Sequence, residues 1–351
     1  MAPANGTCSF TLGITPGFRC PHGELSHGLC AFHLLSLGER LRDHQHWRLT
    51  TSIPTYGDRI RAEFSKLLQF TESDPSCSVA DFRGFRLPSI DLRGHTFTKE
   101  VLFTEARFYD NAIFSEATFE RSVDFSHAVF AGPAHFYSVA FEDWVSFSLV
   151  RFEGDADFVD GVCRGPAEFG QSTVSGRLQF LNWEFEDECS FESLRRQKDG
   201  AILFDVVDLS RATFLGTQLE SIEFRAVTWL NKGKRRNMLC DELPEALRVA
   251  GGRRADQEHP ASDAEVDYFY EQLAANYRQL VLNYERMRDF DAAEDFHVGE
   301  MEMRSIIAER RYRHLAGGSG GISARTGSIG FSAGTELVGA EHSAGSLFGC
   351  S

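Results

Sequence analysis

Residues 101–158 read VLFTEARFYDNAIFSEATFERSVDFSHAVFAGPAHFYSVAFEDWVSFSLVRFEGDADF. Phenylalanine recurs at Phe103, Phe108, Phe114, Phe119, Phe125, Phe130, Phe136, Phe141, Phe147, Phe152 and Phe158, with steps alternating between five and six. Two residues before each stands a smaller apolar residue, as at Val101, Ala106, Ala112, Ala117, Val123 and Ala128. Positions i−2 and i share one side of an extended segment. A helix fails the same test. At about 100° per residue, positions five apart lie roughly 140° apart around the axis, so successive phenylalanines would face opposite sides. Short extended sides that turn every five or six residues bury them all.

The register extends in both directions. Upstream it runs through Phe82, Leu87, Leu92 and Phe97; downstream it continues at Cys163, Phe169, Val174, Phe180, Phe185 and Phe191, then resumes in strict fives at Phe204, Leu209, Phe214, Leu219, Phe224 and Trp229. Of these 27 positions 20 are Phe, which accounts for most of the 31 phenylalanines in the 351-residue chain. Four sides close a coil, and stacked coils place Phe97, Phe119, Phe141, Cys163 and Phe185 in one interior column. With strands roughly 4.8 Å apart, the register predicts nearly seven coils and a length on the order of 30 Å. Each buried Phe contributes about 1.5–3 kcal/mol against the entropy of ordering its side. Cys163 and Val174 underfill their columns, so a bend or void is expected there. Between Phe191 and Phe204 the run Arg195-Arg196-Gln197-Lys198-Asp199-Gly200 reads as a protruding loop.

The segment with Ala117-Thr118-Phe119, Val123-Asp124-Phe125 and Ala156-Asp157-Phe158 resembles the Phe-centred form of the pentapeptide-repeat family over about residues 80–230. The resemblance implies a mainly β fold, a right-handed quadrilateral β-helix. The six-residue sides depart from the family's strict period.

A solenoid exposes an apolar cross-section at each end and needs caps. Residues 37–79 are expected to form a helical N-cap, with Ile60, Phe64, Leu67 and Leu68 on one stripe of a helix over 57–70. Upstream, residues 1–36 contain Cys8, Cys20, Cys30 and His33, a donor set that suits a structural, tetrahedral zinc and equally describes reduced, unliganded thiols. His22 and His27 are substitute ligands, a spacing more often met in surface histidines. Similar Cys/His segments precede the coils in some members of the resembled family. The eight cysteines are scattered along a long chain, which disfavours a disulfide framework and fits a cytoplasmic protein.

Beyond the coils, residues 231–260 read as a polar linker and residues 261–315 as a helical hairpin. Ser262 and Glu265 form a capping box ahead of the stripe Val266, Phe269, Leu273, Tyr277, Leu280 and Tyr284; Asp291 and Glu294 read as a second box before Phe296, Met303 and Ile307. One hairpin cannot bury its own face, so it must dock on the coils, on another copy or on a partner. Tyr277, Leu280, Phe296 and Met303 are the candidate partner-binding residues. His297 and Glu300 stand one turn apart, a spacing open to a metal and more often a solvated helix face. The stretch Asp295–Arg304 is similar to a C-terminal segment in a subset of the resembled family whose chains continue into transmembrane helices. Here residues 316–351 form a Gly/Ser-rich tail, expected to be disordered and without an apolar span.

The net charge of −15 argues against direct nucleic-acid binding, because phosphate neutralisation needs clustered cations. Residues 82–229 hold 24 acids against 14 bases, and residues 142–192 hold 12 against 3. No Gly-rich phosphate loop or nucleophile elbow is present, so an enzyme is not expected. The leading expectation is a noncatalytic scaffold for protein–protein interaction, with self-association as one form of it. The resemblance implies an alternative, an acidic rod offered to a DNA-processing enzyme such as gyrase in place of DNA. A further alternative is the soluble regulatory part of a membrane-associated protein.

Overall fold

Strands of two to five residues follow one another around a four-sided coil, and each pairs in parallel with the strand one coil away. The computed structural model describes residue 32 and residues 54–243 and 262–318. Residues 1–310 form one compact unit; of the second, residues 311–351, the described part is the end of one helix, 311–318. The first face of the solenoid holds seven strands, from Val79–Asp81 to Ala212–Thr213, and the second holds six, from Arg86–Leu87 to Arg195–Arg196. The third holds seven, from Ile90–Asp91 to Glu223–Arg225, and the fourth five, from Thr96–Phe97 to Glu184–Phe185.

All 27 register positions are buried. On the first face Phe82, Phe103, Phe125, Phe147, Phe169, Phe191 and Phe214 stack in an unbroken column with centroid spacings of 4.9–5.3 Å. A second column runs up the third face through Phe114, Phe136, Phe158, Phe180, Phe204 and Phe224. Rings of the two columns meet edge to face, as Phe147 and Phe158 do at 5.3 Å and 88°. Both offset-stacked and edge-to-face pairs suit the aromatic quadrupole.

The alternation of five and six has a structural cause. Five-residue steps leave the first and third faces through tight turns, in which the residue two after the Phe has positive φ and the next N–H returns to the Phe carbonyl. Glu105 (φ 57°), with Ala106 N donating to Phe103 O at 2.9 Å, and Glu116 (φ 61°), with Ala117 N donating to Phe114 O at 3.0 Å, are examples. Six-residue steps close the other corners. At one of these Gly154 and Gly176 lie against the backbone of the coil below, and a Cβ on either would be 2.4 Å from a carbonyl oxygen.

Two expectations are corrected. Arg195–Arg196 is not in a protruding loop: it is a strand of the second face, in register with Thr173–Val174. Only a short turn follows, closed by Gly200 N donating to Gln197 O at 3.1 Å. The shortfall at Cys163 is neither a bend nor a void, because the ladder runs through it in register and Trp183 from the next coil fills the space. Trp183 is 1% exposed and packs 5.3 Å from Phe158 and 6.4 Å from Phe141. The ladder likewise continues in register through Val174.

Helix α1 (Pro54–Ser73) covers the first coil with Ile60, Phe64 and Leu68, and Phe64 lies 5.0 Å from Phe82. Phe32 stacks on Phe85 at 4.2 Å, and its carbonyl accepts from Arg86 N at 2.8 Å. At the other end, residues expected to begin a linker form an antiparallel pair, Leu230–Lys232 with Arg235–Met238, followed by a 3-10 turn at Cys240–Glu242. Helices α2 (Asp263–Met287) and α3 (Phe290–Gly318) come next. The Ser262 capping box is present, with Ser262 N donating to Glu265 at 2.8 Å. The start of α3 differs from expectation: Asp289 accepts from Ala292 N at 3.1 Å, two residues earlier than the pair Asp291 and Glu294.

Candidate functional surfaces

The last coil of a parallel solenoid leaves a rim of backbone donors and acceptors that the next coil would have used. Here side chains take that role. Asn276 Nδ2 donates to Phe214 O at 2.7 Å, and Asn283, seven residues along α2, donates to Leu219 O at 2.9 Å and Ile222 O at 2.7 Å. Asp241, 2% exposed, accepts from Phe214 N at 2.9 Å and Leu215 N at 2.9 Å. Burial pushes the Asp241 carboxyl up to about 7, against the pull of those N–H donors. Arg286 closes the same stripe, its Nη2 donating to Glu220 at 2.8 Å.

This docking corrects the partner-binding expectation. Tyr277, Leu280 and Phe296 are 0% exposed and Met303 2%, so the face they form is covered by the chain's own last coil and hairpin. Phe296 packs 5.6 Å from Trp229, whose Nε1 donates to Tyr284 Oη at 2.6 Å. Tyr277 donates to Glu242 and accepts from Leu239 N at 3.0 Å, and burial raises its pKa. Arg235 lies 5.1 Å over the Tyr277 ring and pairs with Glu242 at 2.9 Å and Glu302 at 2.8 Å. Gly299 makes that approach possible, since a Cβ there would be 2.3 Å from the Arg235 guanidinium. Glu300 is buried and paired with Arg304 at 2.6 Å, with His297 3.7 Å away.

Cys8, Cys20, Cys30 and His33 lie outside the described residues. Among the described residues no group of three or more His, Cys, Asp and Glu side chains is placed to hold a metal, and no helix is long and apolar enough to cross a membrane.

The surface of the coils is sorted by charge. The corner between the fourth and first faces carries Glu120, Glu142, Asp143, Glu186, Asp187 and Glu188, flanked by Glu184 on the fourth face and Glu168 on the first, over four coils in all, with Arg121 and Arg164 as its bases. Arg164 bridges two coils, pairing with Glu142 and, at 3.6 Å, with Glu186. The outward column of the second face reads Arg86, Arg107, Val129, Arg151, Thr173, Arg195. Glu153 takes both Arg107 at 3.4 Å and Arg151 at 2.9 Å. The arginine column was open to sequence reasoning, because its members precede second-face register positions on the coil period; counting charge by segment concealed it. The roles of Asn276, Asn283 and Asp241 had no sequence signal beyond seven-residue spacing of the asparagines.

The family model for pentapeptide repeats matches the chain in nine copies, among them residues 82–129, 103–151 and 114–162. No curated protein and no solved structure matches it.

Proposed function

The chain belongs to the pentapeptide-repeat family, and from that premise we propose that it is a noncatalytic scaffold that binds a protein partner through the charged outside of its coils. The observation that carries this reading is the sorting of charge, with an acidic corner over four coils and an arginine column on the second face. The interior register is filled and the stripe Tyr277, Leu280, Phe296 and Met303 is covered, so this reading rests on the sorted charge of the coil exterior and not on that stripe. Oppositely charged faces steer and orient a partner more than they add raw affinity. A cytoplasmic setting belongs to the same proposal, in keeping with free thiols at Cys77, Cys163 and Cys189. So does a zinc staple at Cys8, Cys20, Cys30 and His33, checked by quantifying zinc on the purified chain.

The test is capture from the source cells with the intact chain and with a corner variant in which Glu142, Asp143, Glu186, Asp187 and Glu188 become Gln. A partner held by the native chain at low salt, released by raised salt and missed by the variant supports the reading. Identical capture by both chains refutes it.

The acidic corner also favours a second reading, a surface presented to a DNA-processing enzyme in place of DNA. Arg164, set between Glu142 and Glu186, breaks the run of negative charge and places this reading second. A gyrase supercoiling assay separates the two: inhibition by the native chain and not by the corner variant supports mimicry.

A further inference from the structure

The first coil has an open strand edge on its third face. There the N–H groups run upward, Ile90 N to Asn111 O at 2.9 Å, Leu92 N to Ile113 O at 2.8 Å and Gly94 N to Ser115 O at 2.9 Å. The accepting carbonyls point down the solenoid, so their counterparts on the first coil, Ser89, Asp91 and Arg93, point to where no coil lies. Among the described residues no group donates to those three carbonyls. Two other edges of the same coil are served: Arg86 N donates to Phe32 O on the second face at 2.8 Å, and Thr98 N to Glu72 on the fourth at 3.3 Å. An unpaired strand edge is a template for an added strand.

The edge is one wall of a cleft of about 620 Å³, lined by Asp91, Arg93 and Gly94 on the coil side and by Leu68, Gln69 and Glu72 on one stripe of α1. Asp91, Arg93 and Gly94 are exposed. The same corner carries a side chain on later coils, as at Asp160 and Asn182, whereas Gly94 carries none and a Cβ there would meet nothing within 4 Å. With α1 standing across from the edge, the space admits a single extended chain and not the four-sided coil of a second copy. Asp91 Oδ1 accepts from Arg93 N at 3.1 Å, and its Oδ2, 3.9 Å from the Arg93 guanidinium, is open to a closer cation.

We propose that this cleft binds an extended peptide of a partner protein, added as one more parallel strand beneath the third face. Peptide residues under Ile90, Leu92 and Gly94 donate to Ser89 O, Asp91 O and Arg93 O, repeating the bonds that join the first two coils. In that register their side chains face inward, toward Leu68 and Leu92, and are apolar. The residues between them face outward under Asp91 and are basic. Outward side chains of successive coils pair in this way on the same face, Arg177 with Asp157 at 3.0 Å and Arg225 with Asp205 at 3.9 Å. Phe32 shows the mode on the adjoining side, its carbonyl on the strand edge and its ring stacked on Phe85 at 4.2 Å.

The test is a titration of the intact chain with a seven-residue peptide of alternating valine and lysine, blocked at both ends, following backbone amides by NMR. The amides of residues 89–96 shift saturably. N-methylation of the valines removes the donors and weakens binding about 10- to 100-fold, whereas N-methylation of the lysines, whose N–H groups point away from the edge, changes it by less than about threefold. Gly94→Asn places in the cleft a side chain that this corner already accepts and weakens binding about tenfold. Asp91→Asn, which keeps an acceptor for Arg93 N, weakens it about two- to fivefold. No saturable shift, the result if a second copy or another part of this chain holds the edge, overturns the proposal. So do shifts centred on the acidic corner, equal losses from the two N-methylated peptides, or unchanged affinity in Gly94→Asn. The N-methyl comparison uses only the native chain and decides the matter even where a variant fails to fold.

Discussion

Trp183 and Cys163 are predicted to be one feature encoded on two coils. On the fourth face the residue two before each register position is small, as at Ala117, Val139 and Gly161, and the register residue is large, as at Phe119 and Phe141. At Cys163 and Trp183 these sizes are exchanged: the thiol leaves a gap and the indole fills it. Trp183→Val restores the usual small residue and costs about 2–4 kcal/mol. The cost lies at the low end for a truncated Trp because Val keeps part of the buried side chain. Cys163→Phe restores the usual large residue into occupied space. Packing there is already so close that a Cβ on Gly161 would be 2.2 Å from the indole, and overpacking costs about 1–3 kcal/mol. Independent effects would sum to roughly 3–7 kcal/mol. The paired variant instead rebuilds the ordinary register and is expected within about 1 kcal/mol of the native chain, a coupling of at least about 2 kcal/mol. Guanidinium unfolding followed by circular dichroism measures all four proteins, with equal m-values required, since repeat arrays can lose cooperativity. Additivity within about 0.5 kcal/mol would refute the reasoning.

Asn283→Leu leaves the carbonyls of Leu219 and Ile222 without their side-chain donor and should destabilise the chain by about 2–4 kcal/mol, with hairpin amides exchanging faster by hydrogen-exchange mass spectrometry. Asp241 has a folded pKa of about 7, above its ordinary value of 3.8, so its contribution to stability is full below about pH 4 and is lost as pH rises through 7. Unfolding midpoints from pH 5 to 8 should therefore fall more steeply in the native chain than in Asp241→Asn; equal slopes would remove Asp241 as the cause. Val206, a β-branched residue at φ 56° and 52% exposed, should become Gly with a gain of up to about 1 kcal/mol, while Val206→Ala gains little, as judged by the same denaturation curves.

The coils were legible because one residue type marks every interior position and the steps between marks report the corners. Phe103 to Phe108 and Phe108 to Phe114 differ by one residue because one corner is a tight positive-φ turn and the other is not. Trp183 was illegible as a filler, since it occupies a position where the pattern demands a small residue and its justification lies one coil below. Arg195 and Arg196 misled for a related reason: charge signalled a loop, whereas backbone pairing carries the second face one coil further and leaves an arginine in a phenylalanine column. The hairpin helices were legible from their stripes, but the stripe could not say what covers it. Tyr277, Leu280, Phe296 and Met303 have the same spacing whether their cover is a partner or the chain's own last coil. The polar residues that decided the matter, Asn276, Asn283 and Asp241, look like ordinary surface residues until the carbonyls and N–H groups they serve are located.

The carboxamides at the end of the coils also bear on how such a chain can change length. They recognise backbone, which is the same on every coil, so the hairpin's fit does not depend on how many coils precede it. Duplication of a 22-residue unit such as 123–144 would lengthen the column of rings while leaving the terminal fit untouched. Loss of the hairpin would instead present bare strand edges to any neighbouring chain, and end-to-end growth would become the cheapest way to satisfy them. α2 thus acts as a stop codon written in hydrogen bonds: it sets where polymer-like growth ends without dictating how far it runs.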